Sequence, residues 1–219
     1  TDRGIIKATD LKKKPGTTVK TSKGIKMILI NPTFVDNFRK IKRGSQIMVP
    51  RDIAAIIAET GINKNSKVLD AGSGSGGLAC FLANIVKKVI TYEIKEESYN
   101  ITKQNIKILN LNNIKQVKKD VYKVINERNL DLIILDVKEP WKAIINAAKA
   151  LNPGAFFVAY CPQITQSVEF VNKIIKSKYF IYLKTKEINE REWNINGKVS
   201  RPQQSKISFT GFLTFCRKI

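Results

Sequence analysis

The stretch Lys67–Leu78 constrains the fold of this chain more than any other feature of its sequence. Apolar residues run up to Asp70, glycine recurs at every second position from Gly72 to Gly76, and a largely apolar run then extends to Val86. This order predicts a buried strand, a tight turn and the first turn of a helix. Such a turn gives a ligand access to bare backbone and directs helix N–H groups towards it. We therefore predict a ligand-binding site here.

Two classes of protein fit the spacing of these glycines. Gly72, Gly74 and Gly77 match the GxGxxG turn of nicotinamide-dependent dehydrogenases. Gly72, Gly74 and Gly76, preceded by Asp70, match the DxGxGxG turn of S-adenosylmethionine methyltransferases. Asp70 favours the second class, because a carboxylate there would repel a pyrophosphate and suit the cationic amino-acid end of S-adenosylmethionine. The alternative is that Asp70 only caps the turn.

Three more acidic residues follow predicted strands. Glu93 ends the second strand and would accept hydrogen bonds from ribose hydroxyls in either class. Asp120 ends the third strand, where it can accept from the adenine amino group of the cofactor, cap a following helix, or do both. Asp136 ends the fourth strand, where ligands of open α/β sheets bind, and a nucleobase amino group is one suitable partner. Together these acids favour a methyltransferase.

The chain after the glycine turn alternates strand and helix patterns, which predicts an α/β fold with a mostly parallel seven-stranded sheet. Apolar runs such as 132–135 and 156–159 are typical of strands covered by helices on both faces. The last two strands follow each other without a helical pattern and should form an antiparallel hairpin. The expected strands are 67–71, 88–93, 114–118, 130–136, 154–160, 179–187 and 205–217. The expected helices are 51–60, 77–86, 96–110, 121–128, 140–150 and 163–177.

A small basic β domain over residues 1–40 is expected to precede the methyltransferase domain over 41–219. Residues 16–21 and 25–30 are strand-like and flank a turn. The first 51 residues contain 13 basic and 3 acidic residues, and the whole chain has a formal net charge of +21. Such an excess indicates a polyanionic partner such as nucleic acid, with a lysine-rich proteome as the alternative.

The composition excludes several kinds of site. The chain has no histidine, which rules out a histidine base, a histidine metal ligand and a Ser-His-Asp triad. Cys80, Cys161 and Cys216 lie far apart, so we expect buried free thiols in a reducing cytoplasm, with no metal site and no disulfide framework. No apolar run reaches membrane-spanning length and no signal-peptide pattern is visible, so we expect no membrane partner.

From about residue 40 to its C-terminus the chain resembles the tRNA adenine-N1 methyltransferases of the TrmI type. The segments that carry the resemblance are 45–52, 135–142, 151–154, 157–166, 191–193, 201–202 and 210–213. Bacterial and archaeal enzymes of this type modify a T-loop adenine, and archaeal members can act at position 57 as well as 58. The resemblance implies a class I (Rossmann-like) methyltransferase fold, usually in a homotetramer, with S-adenosylmethionine as cofactor and tRNA as substrate.

The resemblance also assigns site residues. The active-site aspartate of the family falls on Asp136. The cofactor site falls on Gln46, Asp70, Gly72, Ser73, Gly74, Ser75, Gly76, Gly77, Leu78, Glu93, Asp120 and Asp136. Contacts with tRNA are expected from Val49, Arg51, Trp141, Lys198, Arg201 and Lys206, although core packing is the favoured role for Trp141. Two positions depart from the family: Val49 replaces a tyrosine thought to stack on the base, and Phe209 replaces a histidine.

The expected chemistry needs little acid–base machinery. Adenine N1 is unprotonated at neutral pH and can attack the sulfonium methyl group directly if it is held in line. A carboxylate bonded to the exocyclic amine would strengthen that bond as positive charge develops, and we assign this role to Asp136. Two alternatives stay open at this point: a small-molecule methyltransferase of the precorrin type, and a tRNA-binding subunit without activity.

Overall fold

In a computed structural model of the chain, the residues that can be described are 2–44, 47–197, 199–203 and 209–219. The chain divides into two compact units, Thr1–Lys40 and Ile41–Ile219. Over the described ranges, helices long and apolar enough to cross a membrane are absent.

The first unit contains a short antiparallel hairpin and one helical turn. Strands β1 (Thr18–Lys20) and β2 (Lys26–Ile28) pair with Val19 opposite Met27. The turn between them is closed by the N–H of Gly24, which donates to the carbonyl of Thr21 at 2.9 Å. Helix α1 (Phe34–Phe38) follows, and its first turn is fixed because the Asp36 carboxylate accepts from the N–H of Thr33 at 2.8 Å.

The second unit alternates strands and helices along the chain. Its helices are α2 (Pro50–Thr60), α3 (Gly77–Ala83), α4 (Glu96–Ile108), α5 (Ile144–Ala150) and α6 (Ile164–Ser177). Its strands are β3 (Lys67–Ala71), β4 (Lys88–Tyr92), β5 (Ile114–Val117), β6 (Leu130–Leu135), β7 (Leu151–Cys161), β8 (Phe180–Glu187), β9 (Trp193–Asn196), β10 (Val199–Pro202) and β11 (Phe212–Lys218).

Seven of the described strands form one sheet in the order β5-β4-β3-β6-β7-β11-β8. Strands β3 to β7 are parallel, whereas β11 is antiparallel to both β7 and β8. This confirms the predicted α/β fold with its C-terminal antiparallel pair. The central position of β3 puts the carboxyl ends of β4 and β6 on either side of the glycine turn. A ligand on that turn therefore reaches the residues that follow each neighbouring strand.

Both faces of the sheet are buried by helices. Leu132 and Ile133 are adjacent in β6, point to opposite faces and are both fully buried. On one face Phe157 packs edge-to-face against Phe170 of α6, with ring centroids 5.3 Å apart. The three cysteines are free and buried, as expected, and burial raises the pKa of the Cys80 thiol to about 12.

The predicted helix over 121–128 is wrong. The chain there makes one turn at Val121 and continues without helix because side chains take its carbonyl groups. The amide of Asn146 donates to the carbonyls of Val121 and Tyr122, and the guanidinium of Arg128 donates to the carbonyl of Ile125. A segment rich in β-branched residues has little helix propensity to resist this. The helix expected over 140–150 begins as a 3₁₀ turn and becomes α-helical only at α5.

The C-terminal region differs from the prediction in two ways. Strands β9 and β10 form a separate hairpin that is missing from the strands we predicted. The last strand starts at Phe212 instead of residue 205; residues 204–208 lie outside the described ranges. Gly211, just before this strand, lies against the ring of Tyr160, where an added Cβ would come within 2.7 Å of the ring.

Candidate active site

A cavity of about 550 Å³ lies at the carboxyl ends of the parallel strands. Four carboxylates line it, one after or at the end of each of four neighbouring strands: Asp70 on β3, Glu93 after β4, Asp120 after β5 and Asp136 after β6. The other predicted site residues on its wall are Gly72, Ser73, Gly74, Ser75, Gly77 and Leu78. The structure therefore brings together, at one cavity, the acids and most of the glycine turn selected from the sequence.

Gly76 belongs to the turn but does not line the cavity. It precedes α3 with a φ of 75°, a conformation that glycine adopts without strain. Its N–H donates to the carbonyl of Ser73 at 2.7 Å, and a Cβ at this position would lie 2.8 Å from Cγ2 of Thr102. Gly76 thus shapes the turn from the side opposite the ligand.

Asp70 is almost completely buried at the centre of the sheet, with 1% of its surface exposed. One carboxylate oxygen accepts a hydrogen bond from the hydroxyl of Thr91 at 2.9 Å. Burial, together with the nearby charges of Asp136 and Glu93, raises the pKa of Asp70 to about 7 against the lowering effect of the Thr91 hydroxyl. A cationic group entering the cavity would therefore stabilise the ionised carboxylate.

Glu93 is held by backbone groups on two sides. Its carboxylate accepts from the N–H of Gly74 at 3.0 Å and from the N–H groups of Ile94 and Lys95 at 2.8 and 2.9 Å. These bonds tie the end of β4 to the glycine turn and fix the carboxylate in place. Its lone pairs can accept further hydrogen bonds from ligand hydroxyl groups, because each carboxylate oxygen offers two.

Asp120 caps a turn and not the helix that the sequence predicted after it. Its carboxylate accepts from the N–H of Tyr122 at 2.9 Å and so caps the turn at 120–123, although no helix follows. The same residue lines the cavity. Capping and ligand contact are therefore compatible at this position.

Asp136 emerges where β6 separates from β3. Its N–H donates to the carbonyl of Ala71 at 2.6 Å, and its own carbonyl accepts from Gly72 at 3.4 Å. Among the described residues, none hydrogen-bonds to its carboxylate, which is half-buried on the cavity wall. Burial, followed by the charge of Glu93, raises its pKa to about 6. At neutral pH the Asp136 carboxylate is therefore mostly ionised and can accept a hydrogen bond from a ligand.

Hydrogen bonds connect Lys42 and Gly44, in the segment before α2, to α4 and the glycine turn. The side chain of Asn105 accepts from the N–H of Lys42 at 2.8 Å and donates to the carbonyls of Lys42 and Ser75, each at 2.8 Å. The N–H of Gly44 donates to the hydroxyl of Ser75 at 2.9 Å. Ile47 and Met48 then line the cavity, whereas Gln46 lies outside the described residues.

Four of the six predicted tRNA contacts lie within the described residues, and none of these four lines the cavity. Val49 precedes α2 and is half-buried. Trp141 packs against the hydrophobic core, which is the role that the sequence favoured for it. The Arg51 side chain is 12% exposed and reaches the hydroxyl of Thr210 at 3.5 Å. Arg201 lies exposed on β10. Lys198 and Lys206 lie outside the described residues, so all six assignments stay predictions.

A polar cluster at the β7 side of the cavity was missed from the sequence. The hydroxyl of Tyr160 donates to the carboxylate of Asp52 at 3.4 Å, and Tyr160 and Thr210 both line the cavity. Asp52 is 1% exposed, and burial raises its pKa. Asp52 lies in the first turn of α2, just before the apolar run 53–58, and acids are common at that position of a helix, so the sequence alone did not mark it as a buried site residue.

This arrangement suits the binding of a cationic ligand beside an acceptor group. Asp70 lies on β3, which leads into the glycine turn, and Glu93 and Asp120 follow β4 and β5 on one side of it. On the other side, Asp136 follows β6 and Tyr160 lies on β7. The described residues contain no group of three or more Cys, Asp or Glu side chains placed to hold a metal ion.

Comparison with known proteins gave consistent matches. The family model described as "tRNA methyltransferase complex GCD14 subunit" matches residues 29–199. A relative from Methanocaldococcus jannaschii, named tRNA (adenine(57)-N(1)/adenine(58)-N(1))-methyltransferase TrmI, is 35% identical, over 99% of this chain and 86% of its own length.

Two solved structures are similar over nearly the whole chain. One is a Thermotoga maritima protein described as a SAM-dependent O-methyltransferase, with a TM-score of 0.91, 28% identity, and coverage of 100% of this chain and 84% of its own. The other is the tRNA (m1A58) methyltransferase TrmI of Aquifex aeolicus, with a TM-score of 0.81, 26% identity, and coverage of 94% and 90%.

Proposed function

Since the chain belongs to the GCD14 family of tRNA methyltransferases, we propose that it methylates N1 of a T-loop adenine in tRNA, with S-adenosylmethionine as the methyl donor. The observation that carries this proposal is the row of four carboxylates at neighbouring strand ends around one cavity. Its acceptor is adenine 58, with adenine 57 as a second target, in line with the names of the relatives from A. aeolicus and M. jannaschii.

The residues present fit S-adenosylmethionine, which supplies a methyl group activated by a sulfonium centre. Its amino group and sulfonium are cations, and they would stabilise Asp70 and Asp136, which burial and neighbouring acids make costly to ionise. We assign Asp70 and the turn to the amino-acid end, Glu93 to the ribose hydroxyls and Asp120 to the adenine amino group. The wall around them is completed by Ser73, Ser75, Gly77 and Leu78.

Asp136 is assigned to the substrate adenine. Its carboxylate has no partner among the described residues and can accept from the exocyclic amine of the base. That bond strengthens as positive charge spreads over N1 and the amine, so it favours the transition state over the ground state. No proton has to leave N1 before it attacks, which agrees with a chain that has no histidine.

The alternatives explain fewer observations. O-methylation, the activity named for the T. maritima protein, requires a base that removes a hydroxyl proton, and the commonest such base is histidine. A small-molecule methyltransferase has no use for a net charge of +21. A tRNA-binding subunit without activity has no use for four carboxylates around a glycine turn.

The experiment is methyl transfer to an unmodified tRNA transcript, followed by digestion to nucleosides and mass spectrometry. We expect 1-methyladenosine, mapped by fragment analysis to position 58 or to 57 and 58. A transcript with the T-loop adenines replaced by guanosine is the matched control and should remain unmethylated. Methylation of ribose, of another base or of no nucleoside at all would contradict the proposal.

We further propose a homotetramer that acts in the cytoplasm. Several large apolar side chains are exposed on edge strand β8 and on the β9–β10 hairpin, which supports burial in an assembly: Ile181, Tyr182, Leu183, Trp193, Ile195 and Val199. A tRNA substrate and three free thiols fit the cytoplasm. Light scattering coupled to size exclusion should give four times the mass of 24.7 kDa, and a monomeric mass would refute the assembly.

A further inference from the structure

The cavity changes the sign of its charge between its floor and its mouth. Asp70 and Glu93 are buried at its floor, and Asp120 and Asp136 are half-buried on its wall. The lining also includes three lysines: Lys95 and Lys138, which are exposed, and Lys119, which is half-buried. Within the described ranges, none of these lysines forms an ion pair. An acidic floor suits a cationic cofactor, and a basic rim suits a polyanion that inserts one neutral base and leaves its phosphates outside.

The three lysines lie on different sides of the glycine turn. Lys95 and Lys119 follow β4 and β5, next to the acids assigned to the ribose and adenine of the cofactor. Lys138 follows β6 on the other side, two residues after Asp136. Two residues of chain span at most about 7 Å, so the flexible ammonium of Lys138 can reach the backbone of a nucleotide whose base contacts Asp136.

The loop around Lys138 is held so that its ammonium stays available. The carbonyl of Lys138 accepts from the side-chain amide of Gln166 at 2.9 Å, which ties this loop to the start of α6. The neighbouring Glu139 could neutralise it, but its carboxylate pairs with Lys142 at 2.6 Å. The backbone is thus fixed while the exposed Lys138 side chain keeps its charge free.

We propose that Lys138 binds the phosphate next to the adenine that enters the cavity. This inference rests on the proposed function, because it requires a nucleotide whose base reaches Asp136. A contact of this kind adds affinity and fixes the register of the base, without reading sequence. It also identifies the β6 side of the mouth as the side from which the tRNA backbone approaches.

The test compares Lys138→Ala with Lys149→Ala, which removes the same charge from an exposed site on α5 away from the cavity. We expect Lys138→Ala to raise KM for tRNA about tenfold, as for one lost charge-assisted bond. The slope of log(kcat/KM) against log salt should become shallower by about 0.7–0.9 between roughly 50 and 200 mM salt. Lys149→Ala should change neither quantity, and Lys138→Arg should restore both.

Two readouts separate the possible failures. Calorimetric titration with S-adenosylmethionine alone should give the same affinity for wild type and Lys138→Ala; a weakened affinity would place Lys138 at the cofactor and overturn the inference. If Lys138→Ala matches Lys149→Ala while wild type makes 1-methyladenosine, the phosphate contact is refuted and the proposed function stands. If wild type makes no 1-methyladenosine, the proposed function itself has failed.

Discussion

Replacing the buried Asp70 by asparagine should stabilise the cofactor-free protein at high pH while it weakens cofactor binding. The folded protein raises the pKa of Asp70 from 3.8 to about 7, chiefly because the carboxylate is buried. The unfolded chain therefore releases this proton at lower pH than the folded protein does. Above the unfolded pKa the folded state binds more protons, so its stability falls as pH rises through about 4 to 7.

The size of the effect follows from the two pKa values. A shift from 3.8 to about 7 corresponds to about 4 kcal/mol of stability lost once the group is ionised in both states. Of this, about 2–3 kcal/mol should be lost between roughly pH 5 and pH 8. Asparagine does not titrate, and its amide oxygen can still accept from the Thr91 hydroxyl. The free energy of unfolding of Asp70→Asn should therefore not show this loss as pH rises.

Urea unfolding of wild type and Asp70→Asn across this pH range measures the difference directly. The variant should gain stability relative to wild type as pH rises, because titrating groups that do not interact with Asp70 cancel in the comparison. Glu169→Gln on α6, where the carboxylate is exposed and pairs with Lys173 at 3.6 Å, is the matched control and should show little pH-dependent gain. Parallel curves for wild type and Asp70→Asn would refute the reasoning.

Three further predictions concern the cavity and its supports. Gly61→Ala should lower the free energy of unfolding, measured in urea, by about 1 kcal/mol, and Gly76→Ala should lower it by more. Both glycines have a positive φ, but only at Gly76 would the added Cβ meet a close neighbour. Asn105→Ala should lose about 2–4 kcal/mol and weaken cofactor binding in calorimetry, whereas the exposed Asn100→Ala should do neither. The kcat/KM for tRNA should fall about tenfold per pH unit below about pH 6, as the Asp136 carboxylate gains its proton; a flat pH profile would argue against a role for its ionised form.

The four cavity acids were predictable because three of them lie at or directly after an apolar run that reads as a strand, and Asp120 follows the strand predicted over 114–118. Parallel strands end at one edge of a sheet, so Asp70, Glu93, Asp120 and Asp136 had to lie near each other once the strands were recognised. The glycine spacing and Asp70 then limited the ligand classes. Both features are local in sequence and need no contact between distant parts of the chain.

What could not be predicted depends on such distant contacts. At the start of residues 121–128, Asn146 of α5 hydrogen-bonds the carbonyls of Val121 and Tyr122, which a helix would have paired with its own N–H groups. Tyr160 meets Asp52 across 108 residues of sequence, and no local pattern links them. The β9–β10 hairpin is a different case, because its signal was local and was overlooked: Trp193–Asn196 alternates apolar and polar residues, and Asn196-Gly197 is typical of a tight hairpin turn.

The central claim is that the Asp136 carboxylate acts on the substrate adenine, and single-turnover methylation by Asp136→Ala tests it most directly. With tRNA and S-adenosylmethionine bound as tightly as by wild type, the rate of 1-methyladenosine formation should fall by roughly 10²-fold or more. Asp136→Asn, which keeps an acceptor without the charge, should lie between the two. A wild-type rate for Asp136→Ala under these conditions would contradict the assignment.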